Sequence, residues 1–380
     1  MKKHALLGAS SSERWLACPP SARLTESHPD SESSYAAEGT CAHELCEYKL
    51  RCALGEDLSE VADIREHLSY YDAEMEAAAD AYVQFISEIF EEARQTCNDP
   101  LLLTEQRVDY SRLVPEGFGT ADAILISDGM MHLVDFKYGK GIPVYAEENP
   151  QLKLYSLGAL EMLGLLYDIT TIRMTIFQPR LDNISTSEIS VEDLYNWVDE
   201  ELKPKAQQAY DGAGEFKAGE HCRFCRAKAE CRARAEENLK LAAYDFTDPA
   251  LLGNDEIAKI LTQVDELVSW ASDIKDFALS EALKGVKFDG FKVVEGRSNR
   301  RYINEIEVAD TVTNAGYDPY EKSILGITKM ETLLGKKQFA ALLSSLVEKP
   351  QGKPTLVPEA DKREEINVNT AADDFADHEN

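Results

Sequence analysis

The chain has 380 residues, of which 44% are hydrophobic, and a formal net charge of −29. This length exceeds one typical domain and allows a substantial buried core. No apolar run approaches the roughly 20 residues of a membrane-spanning helix, and the apolar run at the N-terminus is too short for a signal peptide. We therefore expect a cytoplasmic protein with no membrane partner, in which clustered cysteines are metal ligands or buried small side chains rather than disulfides.

The charge is unevenly distributed along the chain. Acidic residues concentrate in the first hundred and the last twenty residues, whereas residues 221–234 and 287–301 are rich in lysine and arginine. The net charge disfavours nucleic acid as a partner, because the phosphates are repelled. A local groove can nevertheless be basic, and the same basic residues can equally form a solvated face. A polyanionic substrate therefore stays open.

The first half of the chain predicts helices followed by strands. Helical spacing covers residues 35–54, and residues 61–97 predict one or two further acidic helices. The next apolar segments predict four strands, at residues 101–110, 119–127, 130–139 and 171–179. Asp128-Gly129 lies between the second and third strands and is a strong signal for a tight hairpin. With a helix predicted over residues 147–163, this order indicates an α/β core with a mixed sheet.

The pattern changes beyond residue 240. Residues 254–283 predict one long amphipathic helix that starts from an Asn-Asp cap, and residues 291–303 predict a strand and a basic turn. Short helices follow, and then proline, glycine and charge dominate. We expect a core over residues 1–240, a mostly helical α+β extension of unassigned role over 241–350, and an acidic, disordered tail over 351–380.

Charged side chains cluster around the predicted hairpin. Asp135 and Lys137 are two apart on a strand and project to the same face, and Asp122 lies on the adjacent strand. If Asp122 reaches the same end, two carboxylates and a lysine converge, which can hold a divalent cation and a water molecule. The alternative is two solvated aspartates and a surface lysine beside a turn. The apolar run before Asp135 argues against it, because an unpaired buried carboxylate is costly.

Four segments together resemble a known family. The segments EGTCAHELCE, GTADAI, VDFKYG and NPQLKLY occur in the order found in the RecB-like branch of the PD-(D/E)xK nucleases, which includes the Cas4 exonucleases. The resemblance covers about residues 8 to 240. It implies a restriction-endonuclease-like core, a mixed central sheet flanked by helices, preceded by an N-terminal helical segment. The residues it places at one metal-dependent site are His43, Asp122, Asp135, Lys137, Gln151 and Tyr155, with Glu105 as a weaker acidic candidate.

The cysteines form an incomplete ligand set. Cys222, Cys225 and Cys231 lie close together in the sequence, whereas a zinc ion or a cubane cluster takes four ligands. Many members of the resembled branch carry an iron–sulfur cluster with one cysteine before the core and three after it. The resemblance thus implies a [4Fe–4S] cluster with Cys18 as the fourth ligand. Zinc remains an alternative, because ligand spacing does not separate the two. We expect the other cysteines to be structural, although two of them, Cys41 and Cys46, flank His43 and allow a local His/Cys metal site.

The resemblance implies a deoxyribonuclease, an exonuclease that acts on single-stranded or duplex DNA ends. Asp122 and Asp135 would bind Mg²⁺ or Mn²⁺ with His43, Lys137 would act on the attacking water, and Gln151 and Tyr155 would position the strand. It further implies a phage-encoded protein that acts in recombination or replication in the bacterial cytoplasm. A phage single-strand-binding or recombination protein is a possible partner, and a homo-oligomer is also possible. Two alternatives remain: a catalytically silent DNA-binding or scaffold protein on the same fold, and a zinc-stapled interaction adaptor. His43 and Tyr155 could equally be packed core residues.

Overall fold

The structure of the protein is a computed structural model that describes residues 5–28, 34–56, 63–240, 253–295, 302–320 and 324–348. It divides into two compact units, Met1–Lys284 and Gly285–Asn380. In the part of the chain that it describes, no helix is both long enough and apolar enough to cross a membrane.

A mixed sheet forms the centre of the first unit. Its strands among the described residues are β1 (Leu101–Asp109), β2 (Phe118–Ser127), β3 (Met130–Phe136), β4 (Thr171–Gln178) and β5 (Asn183–Ser190). They lie side by side in chain order, with all neighbours antiparallel except the parallel pair β3–β4. The predicted hairpin is confirmed: Asp128 and Gly129 both have positive φ, 36° and 80°, as a two-residue turn between twisted strands requires. The four predicted strands are confirmed, whereas β5 was not predicted.

Helices pack on both faces of the sheet. In the first unit the described residues form α1 (Ser12–Ala17), α2 (Ser21–Leu24), α3 (Ser34–Ala53), α4 (Ala73–Thr96), α5 (Pro150–Leu163), α6 (Val191–Trp197), α7 (Lys203–Asp211), α8 (Arg232–Leu239), α9 (Asn254–Leu261) and α10 (Val264–Leu283). One apolar core joins α5, α6, α7 and α1 to one face of the sheet. A second core joins α3 and α4 to the other face. The α/β class predicted from the sequence is therefore confirmed as a five-stranded mixed sheet flanked by helices.

Helix α5 is the crossover between the two parallel strands. Its start is set by Asn149, whose side chain accepts a hydrogen bond from the Leu152 amide at 3.1 Å, and by Pro150 in the first turn. Gly158 lets the helix approach β1 closely, since a Cβ at that position would lie 2.8 Å from Cβ of Val108. The helix is thereby held against the sheet, with its first turns facing the end of β3.

The C-terminal predictions are partly corrected. The helix predicted over residues 254–283 is broken at Thr262 and Gln263 into α9 and α10. Both lie in the first unit, Met1–Lys284. Residues 291–295 form no strand, so that prediction was wrong. The predicted basic turn at residues 296–301 and the predicted tail lie outside the described residues.

The second unit contains the short helices that the sequence predicted. They are α11 (Glu305–Asn314), α12 (Ile327–Leu334) and α13 (Lys336–Leu343). Asn304 caps α11 by accepting hydrogen bonds from the amides of Ile306 and Glu307. Within the described part of this unit, Ala309 and Phe339 are the buried apolar side chains. The described residues of this unit thus form little apolar core of their own.

A buried histidine predicts how the stability of the fold depends on pH. His132 on β3 contacts Thr175 Oγ1 through Nε2 at 2.8 Å, and burial, with Arg173 nearby, lowers its pKa to about 4. The unfolded chain protonates near pH 6.5, so the stability that neutral His132 contributes is complete above that pH and is lost as the pH falls through 4. We expect a loss of about 3 kcal/mol in the free energy of unfolding from this group across that window.

Urea unfolding of the wild type and of His132→Gln at pH 7, 5.5 and 4.5 would measure this loss. The carboxylates titrate in both proteins, so the difference between the two curves isolates His132. Parallel pH dependence in the two proteins would contradict the assignment.

Candidate functional site

The site lies where the central strands separate. The β2–β3 ladder runs from Ser127 paired with Met130 to Ala123 paired with Val134 and stops there. On the other side of β2, the β1–β2 ladder omits the pair of Glu105 and Asp122, which face each other. Glu105 has a φ of 45°, which is uncommon and costly for a residue other than glycine. At this irregular pair the ladder is interrupted without a change of register, and the side chains of Glu105 and Asp122 lie at the interruption.

Three side chains from three elements meet at this interruption of the ladder. Nδ1 of His43, on α3, lies 3.4 Å from Oδ1 of Asp122. One ligand atom each of His43, Glu105 and Asp122 can be chosen so that all lie within 4.8 Å of one another. The other carboxylate oxygen of Asp122 accepts a hydrogen bond from the Phe136 amide at 2.7 Å, which orients the group. The ring of Phe136 packs edge-on against His43 at 5.3 Å and holds the imidazole in place.

A second set of side chains lies on the α5 side of the same strand end. Nζ of Lys137 is 2.9 Å from Oδ2 of Asp135 and donates to Oε1 of Gln151 at 3.0 Å. The amide of Gln151 donates to Oδ1 of Asp135 at 3.0 Å and to the Tyr155 hydroxyl at 3.1 Å. Asp135 and Lys137 therefore project together, as the sequence predicted. Gln151 and Tyr155 share one face of α5, also as predicted.

One oxygen of Asp135 stands out from this network. Oδ2 is buried and receives no hydrogen bond of good geometry, although the Lys137 ammonium is close to it. A buried carboxylate oxygen that accepts no hydrogen bond is costly, so a positive charge beside it is favourable. The ligand atoms of His43, Glu105 and Asp122 form a set that a divalent cation accepts, and Asp135 lies outside that set but interacts electrostatically with Asp122 and His43.

Burial and crowding of like charges shift the pKa values of these groups. Burial lowers the pKa of His43, but the Asp122 carboxylate outweighs this and raises it to about 9. Burial, together with Asp122, raises the pKa of Glu105 to about 7. Burial also raises the pKa of Asp135, whereas His43 and the Phe136 amide outweigh burial at Asp122 and lower its pKa. The site thus holds three carboxyl groups but only two basic side chains, His43 and Lys137.

The glycine of the GTAD segment, Gly119, is required by the close packing of Tyr155. A Cβ on Gly119 would lie 2.6 Å from Cε1 of Tyr155. Only a glycine lets the tyrosine ring pack over β2 and bring its hydroxyl to Gln151. Tyr155 is therefore both a buried core aromatic and part of the polar network, which joins the two interpretations that the sequence left open.

Arg180 holds the helix that carries His43. It follows β4, and its guanidinium contacts Glu38 on α3 and Glu74 on α4, each at 2.9 Å. The guanidinium also lies 4.3 Å from the centre of the Tyr138 ring. This largely buried arginine ties the starts of both helices to the end of the sheet. Sequence reasoning did not identify it.

Two further residues lie close to the site. The thiol of Cys46 is buried beside Asp122 and Glu105, and burial raises its pKa well above the usual range. Glu47 interacts electrostatically with Glu105. Glu47 is four residues after His43 on α3, so helical spacing was a signal that could have placed it on the same face. The group of described side chains with closely spaced ligand atoms includes neither Cys41 nor Cys46.

The four predicted cluster ligands come together from distant parts of the chain. All eight cysteines are free, and Cys18, Cys222 and Cys225 are buried. Cys225 interacts electrostatically with Cys18 and with Cys231, and Cys222 interacts with Cys225 and Cys231. Burial raises the pKa of the Cys222 and Cys225 thiols. The predicted set is thus one spatial group.

Contacts beside these cysteines fasten the N-terminal segment to the chain after the sheet. Nε of Arg23 donates to the Tyr210 carbonyl at 2.6 Å, and its guanidinium lies over the Tyr210 ring. Arg226 donates to the His28 carbonyl at 3.2 Å, and His28 contacts Glu230 at 3.3 Å. Residues before and after the core are therefore adjacent in space without any bound group.

Two of the five lysine and arginine side chains in the basic segment at 221–234 form internal ion pairs. Arg234 is buried and contacts Glu266 at 2.7 Å and Asp273 at 2.6 Å, both on α10. Lys228 contacts the same Asp273 at 2.7 Å. Arg234 and Lys228 therefore neither form a purely solvated basic face nor stand free to contact DNA, the two alternatives that the sequence left open. They fasten α10 to the rest of the unit.

Comparison with known proteins places the chain in a family. A solved structure described as "Crystal structure of SSO0001" is similar at 16% sequence identity over 58% of this chain and 96% of the other, with a TM-score of 0.25. That likeness is too weak to support a conclusion about fold or function. The sequence profile of one protein family matches residues 4–364 and thus nearly the whole chain. The chain therefore belongs to the family described as "Protein of unknown function (DUF2800)".

Proposed function

We propose that this protein is a metal-dependent deoxyribonuclease, an exonuclease that hydrolyses phosphodiester bonds at DNA ends, on a restriction-endonuclease-like core of the RecB-like and Cas4-like type. The observation that carries the proposal is the buried Asp135–Lys137 ion pair, in which Oδ2 of Asp135 accepts no hydrogen bond of good geometry, next to the His43–Glu105–Asp122 group. Carboxylates crowded together at one acidic site are well suited to a divalent cation. The lysine beside it suits phosphodiester hydrolysis, because the reaction develops negative charge.

The residues present fit Mg²⁺ or Mn²⁺. Asp122, Asp135 and Glu105 would supply oxygen ligands, and His43 would supply a nitrogen ligand. When bound, such an ion polarises the phosphodiester and lowers the pKa of a coordinated water molecule. Asp122 is already oriented by the Phe136 amide and Asp135 by Gln151, so little reorganisation is needed to present them.

Lys137 is the residue that acts on the reacting atoms. Burial lowers its pKa, but Asp135 outweighs this and raises the pKa, so the side chain is an ammonium in the free protein. It is thus a donor that orients the attacking water and stabilises charge on the phosphoryl oxygens. Gln151 accepts from Lys137 and donates to Asp135 and Tyr155, which fixes the direction in which the ammonium points.

A cleavage assay tests the proposal. Protein freed of metal by a chelator would be incubated with Mg²⁺ or Mn²⁺ and with linear or circular DNA, single-stranded and duplex, labelled at one end. We expect degradation of linear DNA from its ends and little cutting of closed circles. Metal binding without any cleavage would instead favour the catalytically silent DNA-binding or scaffold protein. Absence of both metal and DNA binding at this site would favour the adaptor.

The proposal includes a [4Fe–4S] cluster at the cysteine group, with zinc as the alternative. A single tetrahedral zinc needs its thiolates about 4 Å apart, given Zn–S bonds of about 2.3 Å. A cubane cluster binds each thiolate to a different iron and so accepts wider spacing. When bound, it would cross-link the chain before and after the sheet.

The lysine role predicts a defect in turnover rather than in binding. We expect Lys137→Ala to lower kcat on the order of 10²-fold or more while metal and DNA binding persist, because the lost ammonium acts on the developing charge. Single-turnover rates at saturating DNA would measure it. Lys140→Ala is the matched control, since this exposed lysine lies three residues later and contacts Glu74. Loss of DNA affinity with an unchanged saturated rate would make Lys137 a phosphate contact only.

A further inference from the structure

Exposed residues continue from the metal-binding group along two neighbouring strands. We call Arg107, Phe118 and Thr120 the β1–β2 strip. Arg107 pairs with Thr120, two residues along from the level of Glu105 and Asp122. Two strand residues span about 7 Å, so the strip starts roughly one phosphate-to-phosphate step from the site.

The strip faces the same side of the sheet as His43 and Asp122. The residues between its members, Val108 and Gly119, face α5: Val108 packs against Gly158, and Gly119 lies under the Tyr155 ring. Side chains alternate along a strand, so Arg107, Phe118 and Thr120 face the opposite way. Arg107 and Thr120 are exposed there and Phe118 is half-buried. A strand of polymer that leaves the site in this direction meets these side chains next.

Arg107 differs from the other cations around the site. Its guanidinium lies 4.0 Å from the centre of the Phe118 ring, and within the described residues no carboxylate lies at ion-pairing distance from it. Lys137, Lys140 and Arg180 each contact a carboxylate. The other arginine on the sheet, Arg173, contacts Glu188 at 2.7 Å. An arginine stacked on a ring keeps the edge of its guanidinium available, and that edge matches a phosphate.

We infer that Arg107, presented by Phe118, binds a backbone phosphate of the DNA strand adjacent to the phosphate at the metal-binding group. The inference rests on the proposed nuclease function and adds the path of the strand. With a net charge of −29, the chain repels DNA at long range, so an unpaired cation beside the site contributes disproportionately to holding the strand. Thr120 offers a hydroxyl on the same path.

Asp109 opposes this binding. It pairs with Phe118 across the ladder and interacts electrostatically with Arg107, and its side chain accepts a hydrogen bond from the Ser111 amide at 2.8 Å. An asparagine keeps this acceptor and removes the charge. Asp109→Asn should therefore strengthen DNA binding, a gain that misfolding cannot produce.

The test measures DNA affinity and its salt dependence for Arg107→Gln, with Arg173→Gln as the matched control on the same sheet. Fluorescence anisotropy with a labelled single strand would use the Asp135→Asn background so that no cleavage occurs. We expect Arg107→Gln to weaken binding about tenfold and to reduce the salt slope by about 0.7, the value for one phosphate contact on a single strand. Arg173→Gln should change neither. In the otherwise wild-type enzyme, Arg107→Gln should raise KM with kcat almost unchanged.

The outcomes separate this inference from the function on which it rests. A wild-type protein that cleaves DNA, together with an Arg107→Gln variant of unchanged affinity and salt slope, overturns the strand path and leaves the nuclease standing. A wild-type protein that neither binds nor cleaves DNA overturns both. Phe118→Leu should weaken binding in the same direction by a smaller factor, because it removes the ring that presents the guanidinium.

Discussion

Asp135→Asn should reduce metal-dependent DNA cleavage by on the order of 10³-fold or more. The substitution keeps the shape of the side chain and its acceptor oxygen but removes the charge that would hold a divalent cation. Charge stabilisation by a bound metal contributes several kcal/mol to the barrier, and each 1.4 kcal/mol corresponds to about a tenfold change in rate. We expect Mn²⁺ affinity, measured by calorimetry, to fall together with the rate.

The control for this variant lies at the other end of the same strand. Asp128→Asn makes the same chemical change at the hairpin turn, where asparagine tolerates the positive φ. It should retain full activity and full Mn²⁺ affinity. Circular dichroism and the unfolding midpoint of the Asp135→Asn protein would verify that the fold persists. Cleavage by purified Asp135→Asn at the wild-type rate would remove the metal site from the mechanism.

Local rules predicted much of this site. The two-residue spacing of Asp135 and Lys137 sufficed to place both side chains on one face, where they form an ion pair. The four-residue spacing of Gln151 and Tyr155 sufficed to place them within hydrogen-bonding distance. The Asp128-Gly129 turn fixed the register that brings β2 beside β3. Each of these inferences depends on geometry within a few residues.

The parts that were missed depend on tertiary contacts. Glu105 has a φ of 45° at an interruption of the β1–β2 ladder, which alternation along a strand does not predict. Strand β5 is polar and forms an edge of the sheet, so it lacks the apolar alternation that reveals half-buried strands. Arg234 was counted as part of a basic surface, yet it is buried against Glu266 and Asp273. Ion pairs between segments far apart in sequence leave no local pattern.

Cysteine substitutions should have the largest effect on stability. Protein purified without oxygen should be brown, with a broad absorption near roughly 400 nm and about four irons per chain. Cys225→Ser should lose the colour and lower the free energy of unfolding by several kcal/mol. The reason is topological: a link from Cys18 to Cys222 closes a loop of roughly 200 residues, and in the chain-entropy account closing even 100 residues stabilises by about 5 kcal/mol.

The chain offers its own controls for this experiment. Cys52 is exposed and Cys97 is half-buried, and both lie outside the cysteine group, so Cys52→Ser and Cys97→Ser should keep the colour and nearly the full stability. Cys46 is unsuitable as a control, because its buried thiol lies beside Asp122. Iron content, the absorption spectrum and denaturant unfolding would be measured on each variant under nitrogen.

Whether stability or activity falls first distinguishes the role of the cysteine group from that of the proposed catalytic site. In Cys225→Ser the side chains of Asp122, Asp135 and Lys137 remain, so activity at low temperature should fall less than stability does. A colourless anaerobic protein with one tightly held zinc would replace the cluster by zinc and leave the nuclease proposal intact. A Cys18→Ser variant that stays brown and stable would show that the fourth ligand comes from elsewhere in the chain. Contacts such as Arg23 to Tyr210 would then be what holds the N-terminal segment in place.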